Sequence, residues 1–253
     1  MLRVSRDGSV AVLTLDRPEA RNALSGELVE RLTRALREIA RDATVRSAIL
    51  TGAGGSFASG GDLRELRGRG SAEDAAVLSD IGEEMCLAIS ETPFPVIAVL
   101  TGAAIGGGAE LAVACDLRIA EERAKICFKQ TRMGVTTAWG TLPRLLSLVG
   151  TANTARLLYT AQELLAVEAR AIGLVDLIAD PGAAYATAIA WCADIEASAP
   201  GAIAETKRLL RAAAAENYSK LRPIEREAFI RTWSSREHDE AMEAYFSRRP
   251  PKW

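Results

Sequence analysis

Gly102-Ala103-Ala104-Ile105-Gly106-Gly107-Gly108-Ala109-Glu110-Leu111 follows an unbroken apolar run from Val96 to Leu100. A short uncharged run of this kind predicts a strand buried on both faces, as in a parallel sheet. The glycines predict a turn, and Gly107 to Ala114 reads as a helix. A strand, a turn and a helix in that order are the unit of an α/β fold.

The same grammar extends in both directions. Upstream, Val45 to Thr51 reads as a strand. It leads into a second glycine-rich stretch, Gly52-Ala53-Gly54-Gly55-Ser56-Phe57-Ala58-Ser59-Gly60-Gly61-Asp62-Leu63. Residues 2–5 and 10–15 flank Asp7-Gly8, a hairpin signal. Ser25 is placed to cap a helix carrying Leu28, Leu32, Ala35, Leu36 and Ile39 at helical spacing. Residues 72–90 read as helix and Leu117 to Ala120 as strand. From residue 140 onward the pattern reads almost wholly helical, with breaks near Gly150, Gly173, Pro181-Gly182, Pro200-Gly201 and Pro223. An α/β core over residues 1–199 and a helical C-terminal region over 200–253 are expected.

Composition excludes several function classes. The chain has 253 residues, 31 Lys+Arg against 33 Asp+Glu, and a net charge of −2. That balance argues against a nucleic-acid binder, and 49% apolar residues argue against disorder. Cys86, Cys115, Cys127 and Cys192 form no C-x-x-C pair, so neither a zinc site nor a disulfide framework is expected. The single histidine, His238, excludes a His-rich metal site and reads as a surface residue in Arg236-Glu237-His238-Asp239-Glu240. Residues 92–109 are 18 in a row without a charge, but Pro93, Pro95 and the glycines break any membrane helix. With no signal-peptide pattern at the start, a cytoplasmic location is expected.

Three nucleotide motifs fail. Gly102 to Gly107 has P-loop glycine spacing, but Gly108-Ala109 stands where Lys and Ser/Thr are needed. From Gly52, a dinucleotide fingerprint would need glycine at Phe57. The downstream Lys and Asp set of a kinase is missing. What remains is backbone N–H groups from two loops. If they converge on one oxygen they form an oxyanion hole, where one donor is worth about 3–4 kcal/mol. Gly107 falls in the first turn of its helix, where free N–H groups and the dipole add to the effect. Glu110, one turn on, emerges on the same side. Beside apolar Ala109, Leu111, Ala112 and Val113, its pKa is expected to rise toward a range useful for proton transfer. By spacing alone, an acid that offsets the helix dipole is the more ordinary reading.

Four ordered motifs resemble the enoyl-CoA hydratase/isomerase family, the crotonase superfamily. They are Leu15-Asp16-Arg17-Pro18-Glu19-Ala20-Arg21-Asn22-Ala23-Leu24, Phe57 to Leu63, Gly102 to Ala112 with Cys115 to Ala120, and Glu240 to Pro251. The resemblance implies a crotonase-like spiral of ββα turns and a helical C-terminal region that packs in trimers, often paired as hexamers. It implies an acyl-CoA thioester as substrate, with no cofactor beyond the coenzyme A it carries. The thioester oxygen would be held by the N–H groups of Ser59 and Gly107. Gly60, Gly61, Asp62 and Gly106 would line the substrate, Arg21 would meet the phosphate end of CoA, and Trp139 would line the acyl pocket or fill core. Asp62 is expected to support the loop rather than move protons.

One departure bears on the reaction. Family hydratases hold water between two glutamates. The first matches Glu110, while the second falls at Gln130, and an amide orients water without accepting its proton. One carboxylate suffices for double-bond isomerisation or for decarboxylation through a thioester enolate. The segment Met133 to Gly140 is similar to that of ethylmalonyl-CoA decarboxylase-like members. Hydration with Gln130 orienting water, thioester hydrolysis, and a non-catalytic acyl-CoA-binding scaffold are the alternatives.

Overall fold

The computed structural model describes residues 1–252, apart from the side chains of residues 215–218. β1 (Leu2–Asp7) and β2 (Val10–Leu15) form a hairpin around Gly8, whose φ is +57°. α1 (Gly26–Ala40) is capped by Ser25, whose side chain accepts from the Leu28 N–H. Then follow β3 (Ser47–Gly52), β4 (Ser56–Ala58), the short α2 (Leu63–Leu66), α3 (Ala72–Glu91), β5 (Val96–Leu100), β6 (Ala103–Ile105), α4 (Gly107–Ala114), β7 (Leu117–Glu121) and β8 (Lys125–Cys127). The second half runs through α5 (Thr141–Thr160), β9 (Leu164–Leu165), α6 (Ala166–Ala171), β10 (Leu177–Ala179), α7 (Ala184–Glu196), α8 (Pro200–Trp233) and α9 (Arg236–Phe246).

The strands divide between two sheets, ordered β1-β2-β3-β5-β7-β10 and β4-β6-β8-β9. Each successive strand pair, β3/β4, β5/β6 and β7/β8, gives its first member to the large sheet and its second to the small one. Repetition of that step makes a spiral. All pairings in the large sheet are parallel except β1 with β2.

Burial explains the apolar runs. On one face of the large sheet Leu13, Leu50, Ala98 and Leu100 pack with α1, α3 and α4. On the other, Val12, Ile49, Ile97, Val99 and Ile119 are covered by Ala184, Ala188 and Cys192 of α7. A strand covered on both sides has no polar alternation to display.

The C-terminal half departs from the sequence reading. It is not almost wholly helical: β9 and β10 interrupt it, and β10 joins the sheet edge with Leu177 opposite Ile119. Strands of two and three residues are too short to carry a periodic signal. The break at Gly150 is real, with φ 72° and ψ 169° inside α5. Pro223 breaks nothing and lies inside α8. Proline costs a helix one backbone hydrogen bond, but α8 packs along α3 and α5 and buries Glu225, Phe229 and Trp233 just beyond it.

Among the described residues no helix is long and apolar enough to cross a membrane. No group of three or more His, Cys, Asp or Glu among them could hold a metal ion. The four cysteines are buried and unpaired.

Candidate active site

The N-terminal motif braces the first glycine loop. Asn22, fully buried, donates from Nδ2 to the Ala53 and Ser56 carbonyls at 2.9 and 2.7 Å and accepts from the Arg17 N–H. The Arg17 guanidinium reaches the Ala23 carbonyl at 2.7 Å and Asp62 Oδ2 at 2.9 Å. Burial would raise the Asp62 pKa, but the bonds from Arg17 and from the Arg64 and Glu65 N–H groups outweigh it and hold the carboxyl below its ordinary value. Asp62 is therefore an ionised strut that also caps α2.

That bracing fixes where the loop's N–H groups point. Gly60 O accepts from Leu24 N at 2.8 Å, and Asp62 N donates to Leu24 O at 3.2 Å. In a planar trans peptide the Gly61 N–H points opposite to the Gly60 carbonyl, so it faces away from Leu24. It finds no acceptor among the described residues. Ser59 is differently engaged: its N–H donates to Arg21 O at 3.1 Å and its hydroxyl to Ala20 O at 3.2 Å. The donor expected from Ser59 is thus already spent on the neighbouring turn. The two glycine loops meet at Gly60, which has φ +95°. A Cβ there would lie 2.9 Å from Ile105 O and 3.3 Å from Gly107 N. Gly106 N donates to Cys127 O, and Gly107 opens α4 with its N–H free among the described residues.

Glu110 stands one turn into α4, 4% exposed. Its Oε1 accepts from the Ala138 N–H at 2.8 Å and the Thr141 hydroxyl at 2.9 Å. Burial raises its pKa to about 8, with the nearby Glu225 carboxyl adding to the rise and the bonds from Ala138 and Thr141 opposing it. Glu225 comes from α8 and holds the same segment from behind. Its Oε1 accepts from the Thr137 hydroxyl and the Leu142 N–H, each at 2.7 Å. Burial lifts it to about 7, against those bonds and the Arg144 charge.

Gln130 lies in a 3-10 helix (Gln130–Met133), 9% exposed, beside Glu110. Neither its Oε1 nor its Nε2 makes a hydrogen bond of good geometry, although the amide stands close enough to Glu110 to oppose the rise in that carboxyl's pKa. Buried amides are seldom left this way, and such a group marks a place for water or ligand. Trp139 has φ +59° and donates from Nε1 to Leu78 O at 3.2 Å. A Cβ on Gly107 would lie 2.7 Å from its ring and one on Gly82 only 2.0 Å, so the indole lies against both glycines. It lines the site and fills core at once.

A cavity of about 620 Å³ joins these groups. That size suits a small-molecule site. Gly61, Gly107, Glu110 and Gln130 line its middle, and exposed Arg21 lines it with Lys125 and Lys129. Phe229, Trp233 and His238 line it from the C-terminal helices. His238 is 3% exposed, not the surface residue expected. Its Nδ1 lies 2.7 Å from Met133 O, and its ring packs on Trp233 with centroids 4.3 Å apart.

The model of the enoyl-CoA hydratase/isomerase family matches residues 5–253. The chain belongs to that family. It is 33% identical to a short-chain-enoyl-CoA hydratase of Clostridium acetobutylicum, over 97% of this chain and 94% of that protein. It is 32% identical to an enoyl-CoA isomerase/hydratase of Mycosarcoma maydis, over 94% and 90%. A crystal structure of an enoyl-CoA hydratase/isomerase from Xanthobacter autotrophicus superposes with a TM-score of 0.91 at 27% identity, over 97% of this chain and 93% of that one. The fold is the crotonase spiral.

For a hydratase/isomerase family member, the sequence reading missed two groups near the site. Glu225 carried no signal, because it sits in a charged helical stretch, Arg222 to Arg226, that reads as a solvated face. His238 was masked in the same way by its four charged neighbours. Only the packing of α8 and α9 onto the segment at 133–142 buries either one. Asn22 and Arg17 lie in the N-terminal motif, Leu15 to Leu24, but their role as struts is visible only in the structure.

Proposed function

We propose that this acyl-CoA enzyme moves a carbon–carbon double bond along its substrate, with Glu110 as the sole proton carrier. One observation carries the reading. Of the carboxyls lining the cavity, Asp62 pairs with Arg17, Glu65 with Arg69 and Glu163 with Lys125, while Glu110 faces no cation among the described residues. Ionised Glu110 removes a proton from C2 of a 3-enoyl thioester. Negative charge moves onto the thioester oxygen, where the Gly61 and Gly107 N–H groups hold it. Glu110 then returns the proton to C4, giving the 2-enoyl thioester. The electron pair and the proton both stay within the substrate–Glu110 pair, so no cofactor is needed beyond the CoA of the substrate. Gly60, Gly106 and Trp139 shape this site, and Arg21, with Lys125 and Lys129, meets the CoA phosphates.

Hydration is a second reading, favoured by the Gln130 amide, which makes no well-formed hydrogen bond and offers a donor and an acceptor to one water beside Glu110. Decarboxylation would use the same hole with Glu110 only as acid. The names of the relatives, hydratase and isomerase/hydratase, favour the first two.

We further propose a trimer, or a hexamer of paired trimers, supported by Leu209, Leu210 and Ile224, which stand 58–68% exposed along α8. Four unpaired cysteines suit the reducing cytoplasm. Light scattering after size exclusion tests the assembly.

Mass spectrometry of an acyl-CoA panel in deuterated water tests the reaction. A 3-enoyl-CoA converted to its 2-enoyl isomer with deuterium uptake supports isomerisation. Gain of water by crotonyl-CoA replaces it with hydration, and loss of CO₂ from methylmalonyl- or ethylmalonyl-CoA replaces it with decarboxylation. Release of free thiol indicates a hydrolase. Binding without turnover by any of these routes, unchanged in Glu110→Gln, indicates a scaffold.

A further inference from the structure

His238 is the only histidine in the chain, and its ring is held on two sides. Nδ1 lies 2.7 Å from the Met133 carbonyl oxygen. A carbonyl only accepts, so Nδ1 is the donor here, and the ring in its Nδ1–H tautomer presents a lone pair at Nε2. Trp233 covers one face, with its own Nε1 committed to Arg69 O at 2.9 Å. Nε2 has no partner among the described residues, although the residue is 97% buried (3% exposed) and lines the cavity.

The surroundings sharpen the point. Val135, Ala138, Phe229 and Trp233 form a buried apolar cluster here, with partly buried Leu66 and Leu78 against it, and all six line the cavity. These side chains suit hydrocarbon, yet the His238 ring stands among them with an acceptor at Nε2. An alkyl chain that fills the compartment covers this acceptor without giving it a donor, and that is costly. A substrate that supplies the donor removes that cost, and one that lacks it leaves the cost in place. Position follows from the 3-10 helix. Gln130 lies beside Glu110, and Met133, which anchors His238, lies three residues further, about 6 Å along the helix axis.

We propose that this compartment takes an acyl chain bearing a hydroxyl several carbons beyond the reacting centre, which donates its hydrogen bond to His238 Nε2. The substrate class is thus a hydroxylated acyl-CoA of medium length rather than a plain short chain. The inference rests on the acyl-CoA reading of the cavity but not on the reaction assigned to Glu110.

The test uses binding, so that it survives failure of the isomerase reading. Saturated acyl-CoA probes from hexanoyl to decanoyl are titrated calorimetrically beside their ω-hydroxy and ω-methoxy counterparts. The ω-hydroxy member of at least one length is expected to bind about two- to tenfold tighter than both others. In tag-free protein labelled with ¹⁵N-histidine, the Nε2 resonance of the single histidine moves on adding that probe, and Nδ1 does not. His238→Met abolishes the preference, and His238→Gln, which keeps an acceptor, retains part of it. Equal affinity for hydroxy and methoxy chains at every length overturns the proposal in the wild-type protein alone. So does a preference that persists unchanged in His238→Met.

Discussion

Glu110 and Glu225 grip one short segment from opposite sides. Glu110 takes the Ala138 N–H and the Thr141 hydroxyl, and Glu225 takes the Thr137 hydroxyl and the Leu142 N–H. The two carboxyls come from different helices, α4 and α8, and stand 115 residues apart in sequence. Each raises the cost of charging the other, and the residues between them include Trp139, which lies against Gly107. The segment is therefore both the floor of the site and the link between a buried carboxyl on α8 and Glu110 on α4.

Removing the Glu110 carboxylate is the direct test of the role proposed for it. Glu110→Gln keeps the shape and can still accept from Ala138 and Thr141. The expected loss in kcat is about 10²- to 10⁴-fold, with acyl-CoA affinity nearly unchanged. Steady-state rates and calorimetric binding on the same preparation check it. A variant with wild-type kcat would remove Glu110 from the chemistry.

The isomerase reading uses Glu110 first as a base. Its pKa is pushed up to about 8, so kcat/KM is expected to rise with pH and level off above that value. In Glu225→Gln a negative neighbour is lost, and the midpoint is expected to move down. A purely structural role for Glu225 would lower activity without shifting the midpoint, so the pH profile separates the two.

The same two groups make the fold pH-dependent. Their ordinary value is 4.5, and the folded protein raises them to about 8 and about 7. Between about 4.5 and 8 the folded state binds more protons than the unfolded one, so their contribution to stability falls as pH rises through that window. The double variant Glu110→Gln/Glu225→Gln is expected to lose less Tm than wild type between pH 5 and pH 8. Calorimetric melts at both values test this, and parallel losses in the two proteins would count against it.

Gln130→Glu places a second carboxyl beside Glu110. The expected outcome is a gain in hydration of crotonyl-CoA, read from the loss of thioester-conjugated absorbance. Failure to gain any hydration would mean that water does not reach this position.

Asn22→Ala strips the Ala53 and Ser56 carbonyls of their buried donor. The expected cost is about 1–3 kcal/mol of stability, measured by urea denaturation. The first glycine loop would also loosen, so kcat is expected to fall with it. A stable variant with full activity would show that the loop does not depend on this strut.

Much of the molecule was legible from the chain alone. The apolar runs at Val10 to Leu15 and Val96 to Leu100, the Ser25 cap and the helix start at Gly107 are local patterns, and each reports the burial or backbone geometry of its own segment. The two glycine loops and Glu110 were legible for the same reason, since a strand, a turn and a helix N-terminus place them without help from distant residues. Tertiary structure decided the rest. Ser59 lost its N–H to Arg21 because the N-terminal turn docks on the loop. Pro223 stayed helical because α8 is held by α3 and α5. β9 and β10 are too short to have a period and exist only through their neighbours β8 and β7. Glu225 and His238 look like solvated charge-rich surface until α8 and α9 fold back over residues 133–142. A pattern reads the face of one element, whereas burial of a polar side chain depends on which other element covers it, and that information is not carried by spacing.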